Sequence, residues 1–287
     1  MSAGVSELRW GIERRLEFIE FRLYWEGGIN RSDIVEQFGV SVPQASKDLS
    51  RYQELAPDNM AYDKSEKRYF PAPHFVPRFY RPDPDEHLAQ LNAVATLAVP
   101  PQETWLSRTP NVDSLPALQR KVEPEVLRAL LDAVKDERAL EILYQSMNPV
   151  RPEPVWRGIS PHAFANDGYR WHVRAFCHID SSFKDFLLSR CLDYRPAGRA
   201  LGKPSDDRDW TQVLDVELRP NPKLSKSQQL VISDDYGMEN GKLKVSIRKS
   251  LFFYFERHHR LDLAEAVHRP QEAPVVIERR IRATSQT

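Results

Sequence analysis

Trp156-Arg157-Gly158-Ile159-Ser160-Pro161-His162, then Asn166-Asp167-Gly168-Tyr169-Arg170-Trp171-His172-Val173-Arg174-Ala175-Phe176-Cys177-His178, and then Phe186-Leu187-Leu188-Ser189-Arg190-Cys191 make up one stretch. Its short β-rich runs interleave apolar residues with arginine and histidine. Asn166-Asp167-Gly168 is a hairpin signal, because these residue types tolerate the positive φ that tight turns require. Such interleaving is unusual for a plain sheet core. Between Val150 and Ala200 the eight basic residues (Arg151, Arg157, Arg170, Arg174, Lys184, Arg190, Arg195, Arg199) face five acids (Glu153, Asp167, Asp180, Asp185, Asp193). The excess points to a pocket for something anionic.

The excess is local. Over 287 residues, 41 Lys and Arg balance 41 Asp and Glu, so no global field favours nucleic acid or membrane. An apolar fraction of 41% supports real cores, and the length suits two or three units. Two cysteines, Cys177 and Cys191, make no disulfide framework and lack metal-site spacing, which suits a reducing interior. No run has the apolar length of a signal core or membrane span, so the expectation is a soluble, cytoplasmic protein with no membrane partner.

Upstream, Leu8, Ile12, Leu16, Ile19 and Leu23 recur every three or four residues, predicting a helix from about Ser6 to Trp25. Gly27-Gly28 ends it. Asn30 and Asp33 open a second helix, with Ile34, Val35 and Phe38 inward, and Gly39 stops it. Ser41-Val42-Pro43-Gln44 is a capping-box pattern for a third helix running to about Leu55. Ala45, Leu49 and Tyr52 would face inward, and Gln44, Ser46, Lys47, Ser50 and Arg51 outward. Two short helices joined by a glycine turn form a helix-turn-helix whose second member presents polar and basic side chains, as a major-groove reader does. Met60 to Tyr62 and Arg68 to Phe70 read as a strand pair, a wing bearing Lys64, Lys67 and Arg68. Ser41, Gln44, Ser46, Lys47, Ser50, Arg51, Lys64, Lys67 and Arg68 are therefore the candidate DNA-contacting set. A plain helical bundle with a solvated third helix is the competing reading.

The rest divides into a proline-punctuated connector with helices at Asp85 to Val99 and Glu123 to Asp136, then strands at Ala139 to Ser146, Val155 to Ser160, Tyr169 to His178 and Asp185 to Leu192. A strand-helix-strand-helix order follows: Val213 to Leu218, Leu224 to Ile232, Lys242 to Arg248, and aromatic Leu251 to Leu261. Glu278 to Arg282 is either a strand edge or a basic tail. The expected class is α+β multidomain: a winged helix-turn-helix over 1–75, a connector over 76–136, a β-barrel over 137–202 and a small α/β domain over 203–287.

The helix into Ala139 to Gln145, Trp156 to His162, Gly168 to Ala175 and Phe186 to Arg190 together resemble a WYL domain. The family's Trp-Tyr-Leu tripeptide is here Trp171-His172-Val173, which keeps only the tryptophan. With a winged helix in front and an α/β piece behind, the whole chain is similar to the WYL-domain repressors found beside phage-defence systems, the BrxR/CapW group. The resemblance implies an Sm-like five-stranded barrel acting as a ligand sensor, a C-terminal extension used in dimer contacts, and a pocket falling on Ser160, His162, Tyr169, Trp171, Arg174 and Arg190. Those residue types fit an anion: planar forks for phosphate or carboxylate, rings for stacking and hydroxyl or imidazole hydrogen bonds.

The expected function is thus a homodimeric repressor of a phage-defence operon that reads an inverted repeat in double-stranded DNA and is relieved by a nucleotide-like or nucleic-acid-like ligand. No cofactor is implied. The plainer alternative for each arginine is a carboxylate partner such as Asp180 or Asp193, and for Trp171 a place in the core. A metal site on His162, His172, His178 and Cys177 finds no repeating ligand pair. With no P-loop, G-x-S-x-G or H-E-x-x-H motif, an enzyme is not expected. A nucleic-acid-processing enzyme and a non-sensing protein adaptor are the alternatives.

Overall fold

Helix α1 (Trp10–Glu26) begins the computed structural model, which describes residues 10–107, 109–116, 118–264 and 269–282. The expected start at Ser6, with Leu8, lies outside them. Two compact units, residues 1–116 and 117–287, divide the chain.

In the first unit, α2 (Arg31–Phe38) and α3 (Val42–Leu55) follow α1. Asn30 caps α2 reciprocally with Asp33, and Gly39 ends it in the left-handed conformation at φ 63°, where a side chain would be strained. The Ser41 side chain accepts from Gln44 N and so caps α3. The box is one-sided, however: the Gln44 amide bonds Asp48 instead. Leu16, Phe18, Ile19, Leu23, Ile34, Leu49 and Tyr52 form the core, each such burial contributing about 1.5–3 kcal/mol. Strands β1 (Met60–Asp63) and β2 (Arg68–Pro71) pair antiparallel, and an Ile29–Tyr69 bridge adds a third edge. Gly28 makes that bridge possible, since a Cβ there would sit 2.7 Å from Tyr69 O. Helix α4 (Pro84–Ala95), capped by Asp83, completes this unit, with His87 stacked on Trp25 at 4.3 Å.

The second unit opens with α5 (Pro124–Lys135), whose Val126, Leu130 and Ala133 share one core with the strands that follow. These are β3 (Arg138–Tyr144), β4 (Val155–Asn166), β5 (Trp171–Cys177), β6 (Ser182–Leu187) and β7 (Cys191–Arg199), all antiparallel, in the order β6-β5-β4-β3-β7. Among the described residues no ladder joins the edges β6 and β7, so strand pairing leaves an open sheet where a closed barrel was expected. The single strand expected at Asp185 to Leu192 is in fact two, separated by a 3-10 turn at Leu188–Arg190. The break is required because the chain crosses here from one sheet edge to the other: Tyr144 pairs Cys191, and Gln145 N bonds Arg190 O.

A short helix α6 (Arg208–Thr211) leads into a three-stranded sheet, order β10-β8-β9, made by β8 (Val213–Pro220), β9 (Leu243–Arg248) and β10 (Val275–Arg282). Residues 278–282, left open between edge and tail, are strand. Helix α7 (Lys226–Asp235) is capped by Ser225 with Gln228. Helix α8 (Lys249–His258) lays Phe252 and Phe255 on the sheet core around Val216 and Leu218. Its Tyr254 hydroxyl reaches the other way and donates to Asp185 Oδ2 at 3.1 Å.

Candidate nucleic-acid interface and ligand pocket

Helix α3 buries Ala45, Asp48, Leu49 and Tyr52 and leaves Ser41, Lys47 and Ser50 exposed. Gln44, Ser46 and Arg51 are half-buried. Sequence reading missed that Asp48 faces inward, although it falls on the same three-and-four spacing as Ala45, Leu49 and Tyr52. Its carboxylate takes Arg15 Nε at 2.7 Å and Gln44 Nε2 at 2.9 Å, tying α3 to α1. Gln44 is therefore held along its own helix. Ser46 Oγ donates to Val42 O at 3.0 Å and accepts from Arg31 Nη1 at 3.4 Å. On the wing, Lys64 and Lys67 are exposed, while Arg68 turns back and donates from Nη2 to Gly28 O at 2.6 Å. Arg68 pins the wing rather than extending from it.

Behind this surface lies a second feature that sequence reading missed. Glu20 is fully buried, and its carboxylate accepts the Tyr52 hydroxyl at 3.0 Å and the backbone N–H groups of Arg78, Phe79 and Tyr80 at 2.6–2.9 Å. Burial, and then the Glu20 charge, push the Tyr52 phenol far up, so it stays a neutral donor.

The six residues of the expected ligand pocket do not meet in one cavity. Ser160 and His162 line a cavity of about 540 Å³ with Phe183, Arg199 and Lys203. Ser160 Oγ lies 2.8 Å from His178 Nε2 and accepts from Leu201 N at 2.8 Å. His162 Nε2 lies 3.0 Å from Asp207 Oδ2, and burial lowers its pKa despite that carboxylate. Arg174 is buried and fully engaged: Asp207 takes its Nε at 2.7 Å and Nη2 at 3.0 Å, and Asp185 takes Nη1 at 3.2 Å. The carboxylate-partner alternative holds for Arg174, with Asp207 and Asp185 as partners rather than Asp180 or Asp193. No local signal marked Asp207, which lies 33 residues downstream.

Tyr169 and Trp171 stand at the β4–β5 hairpin, 73% and 56% exposed. Trp171 is not core, and Tyr169 packs on His258 with ring centroids 4.8 Å apart. Arg190 lies in the 3-10 turn beside the Tyr144 hydroxyl. The histidines and Cys177 have separate partners: His172 with Asp167 at 3.0 Å, His178 with Ser160, and Cys177 with Asp180 at 3.4 Å. Burial pushes the Cys191 thiol up to about 12, which leaves it no nucleophile at neutral pH.

Among the described residues no helix is long and apolar enough to cross a membrane. Residues 11–93 match the BrxR transcriptional regulator winged helix-turn-helix domain, residues 125–196 the WYL domain, and residues 213–282 the BrxR transcriptional regulator C-terminal dimerization domain. The DNA-binding transcriptional repressor CapW of Stenotrophomonas maltophilia is 39% identical over 280 residues, covering 96% of this chain and 92% of that protein. CapW of Pseudomonas aeruginosa is 36% identical over 279 residues, 97% of this chain and 93% of the relative. The proteasome accessory factor B/C (PafBC) of Arthrobacter aurescens, 18% identical, covers 93% of this chain and 45% of its own at a TM-score of 0.27, a value from which no shared architecture is inferred. Three family models fall in order along the chain, and the CapW relatives align over nearly all of it. The chain belongs to the BrxR/CapW family of WYL-domain transcriptional regulators.

Proposed function

We propose that the protein is a homodimeric, DNA-binding transcriptional repressor of a phage-defence operon, and that an anionic, nucleotide-like ligand in the WYL region relieves it. One observation carries the DNA-binding part: a Ser41-capped helix, anchored from behind by Arg15–Asp48, presents Lys47 and Ser50 to solvent beside a wing bearing Lys64 and Lys67. Lys47, Ser50 and the N-terminal end of α3 read an inverted-repeat half-site, with Ser46, Gln44 and Arg51 as flanking contacts. The wing lysines hold phosphates, and Arg68 fixes the wing's position. Relatives named as DNA-binding repressors support the same reading. Two half-sites require two copies, which the match to a C-terminal dimerization domain supports.

Ligand relief is proposed on the cation excess of residues 150–200 and on the cavity at Ser160 and His162. A ligand shifts the repressor only by differential affinity for its two states. Gel-shift binding to DNA upstream of the protein's own operon tests the first part: a salt-sensitive, sequence-specific complex is expected, and its absence defeats the reading.

A further inference from the structure

Arg151, Arg157 and Lys184 come from the loop before β4, from β4 itself and from β6, and all three reach one carboxylate. Asp180 takes Arg151 Nη1 at 3.2 Å, Arg157 Nη1 at 3.5 Å and Lys184 Nζ at 2.8 Å. They line a cavity of about 300 Å³ with Tyr144, Ser146 and Asp185. That size sits at the small end of ligand pockets, room for a phosphoryl group and a fragment attached to it.

The charges do not balance. Asp185 is already shared by Arg174 and Tyr254, and Arg174 also holds Asp207. With that neighbour included, four cations (Arg151, Arg157, Lys184, Arg174) face three carboxylates (Asp180, Asp185, Asp207), an excess of one positive charge. The most telling group is Arg157. It is 5% exposed and lines the cavity, and among the described residues its one ion contact is the long 3.5 Å pair with Asp180. A buried guanidinium held by so long a contact is poorly compensated. The planar fork of arginine matches a phosphate edge.

From this geometry we infer that the cavity is a phosphate-binding site, in which Arg151, Arg157 and Lys184 hold a phosphoryl oxyanion and Asp180 is the resident anion it competes with. This site is separate from the cavity at Ser160 and His162. It deepens the reading of a ligand-relieved repressor and rests on that reading only for its consequence at DNA.

Titration calorimetry of the full chain at fixed ionic strength tests it, with inorganic phosphate, adenosine 5′-monophosphate and adenosine as probes. Phosphate and the monophosphate are expected to bind and adenosine not. Equal affinity for phosphate and monophosphate names free phosphate as a sufficient source; tighter monophosphate binding names a nucleotide. Lys184→Ala and Arg151→Ala, both partly exposed, should each weaken binding roughly tenfold, the loss of a charge-assisted hydrogen bond. Asp180→Asn should tighten it by a similar factor, which a merely structural role would not do. Adenosine binding as well as its monophosphate, affinity unchanged across the variants, or no heat from wild type and Asp180→Asn alike would each overturn the inference. Gel shifts keep the two readings apart. Phosphate binding without any effect on the DNA complex defeats ligand relief alone. Induction without phosphate binding defeats this site alone.

Discussion

Asp207 grips Arg174 with both carboxylate oxygens, Oδ2 2.7 Å from Nε and Oδ1 3.0 Å from Nη2. The same carboxylate takes His162 and, through Trp210 N, caps α6. One side chain of the segment after β7 therefore closes over one of the two arginines expected to grip a ligand, and joins the five-stranded sheet to the start of the C-terminal region.

Removing half of such a buried pair leaves an uncompensated charge. Asp207→Ala and Arg174→Met should each destabilise the second unit by about 3–5 kcal/mol, the latter because it strands the buried Asp207 carboxylate. Urea denaturation followed by circular dichroism reads both. A shift of under about 1 kcal/mol for Asp207→Ala would show the pair to be marginal.

Stability should fall as the solution is acidified from neutrality. Burial lowers the pKa of His162 and of His178, so the unfolded chain binds their protons more readily. Their contribution is full above about pH 6.5 and declines below it. A second loss comes lower. At Asp167, burial pushes the carboxyl up, but hydrogen bonds from His172, Tyr169 N and Arg170 outweigh it and hold it at about 2. That stability is present above about pH 4 and disappears as pH drops towards 2. Urea midpoints measured from pH 7 to 3 should decrease throughout, and His162→Gln should flatten the upper part of the curve.

Lys47→Ala should weaken the operator complex more than the complex with random DNA, because a side chain that reads bases carries the sequence information. Lys64→Ala and Lys67→Ala should act equally on operator and random DNA and each reduce the slope of log affinity against log salt by about one, the mark of a lost phosphate contact. Gel shifts on both DNAs over a salt series separate the two patterns. Equal losses on operator and random DNA from Lys47→Ala would take that residue off the bases.

Glu20→Gln should loosen the first unit by about 2–4 kcal/mol, since one carboxamide oxygen replaces two carboxylate acceptors and its NH2 meets backbone donors. Thermal melting of the full chain should show an early transition, with operator affinity falling at the same temperature. An unchanged melt would show that the four donors find other acceptors.

Segments with local physical signatures are legible in the amino-acid order. Ser41 and Pro43 announce α3, Asn30 and Gly39 bound α2, and Asn166-Asp167-Gly168 places the β4–β5 hairpin; each works through the backbone of a few adjacent residues. The interior of α3 is readable from helical spacing, and Asp48 could have been added on the same ground. Pairing across distance is not. The partner of Arg174 lies 33 residues downstream, the split between β6 and β7 depends on β3 having a free edge, and the cluster around Asp180 draws on three separate segments. Alternation along a strand shows which side chains share a face, while the charges that meet on that face are set by which segments fold over it. The run Trp156 to Cys191 by itself determined that this region is a cation-rich antiparallel sheet. The tertiary structure alone decided which of its cations are closely paired and which, at Arg157, is held only by a long 3.5 Å contact.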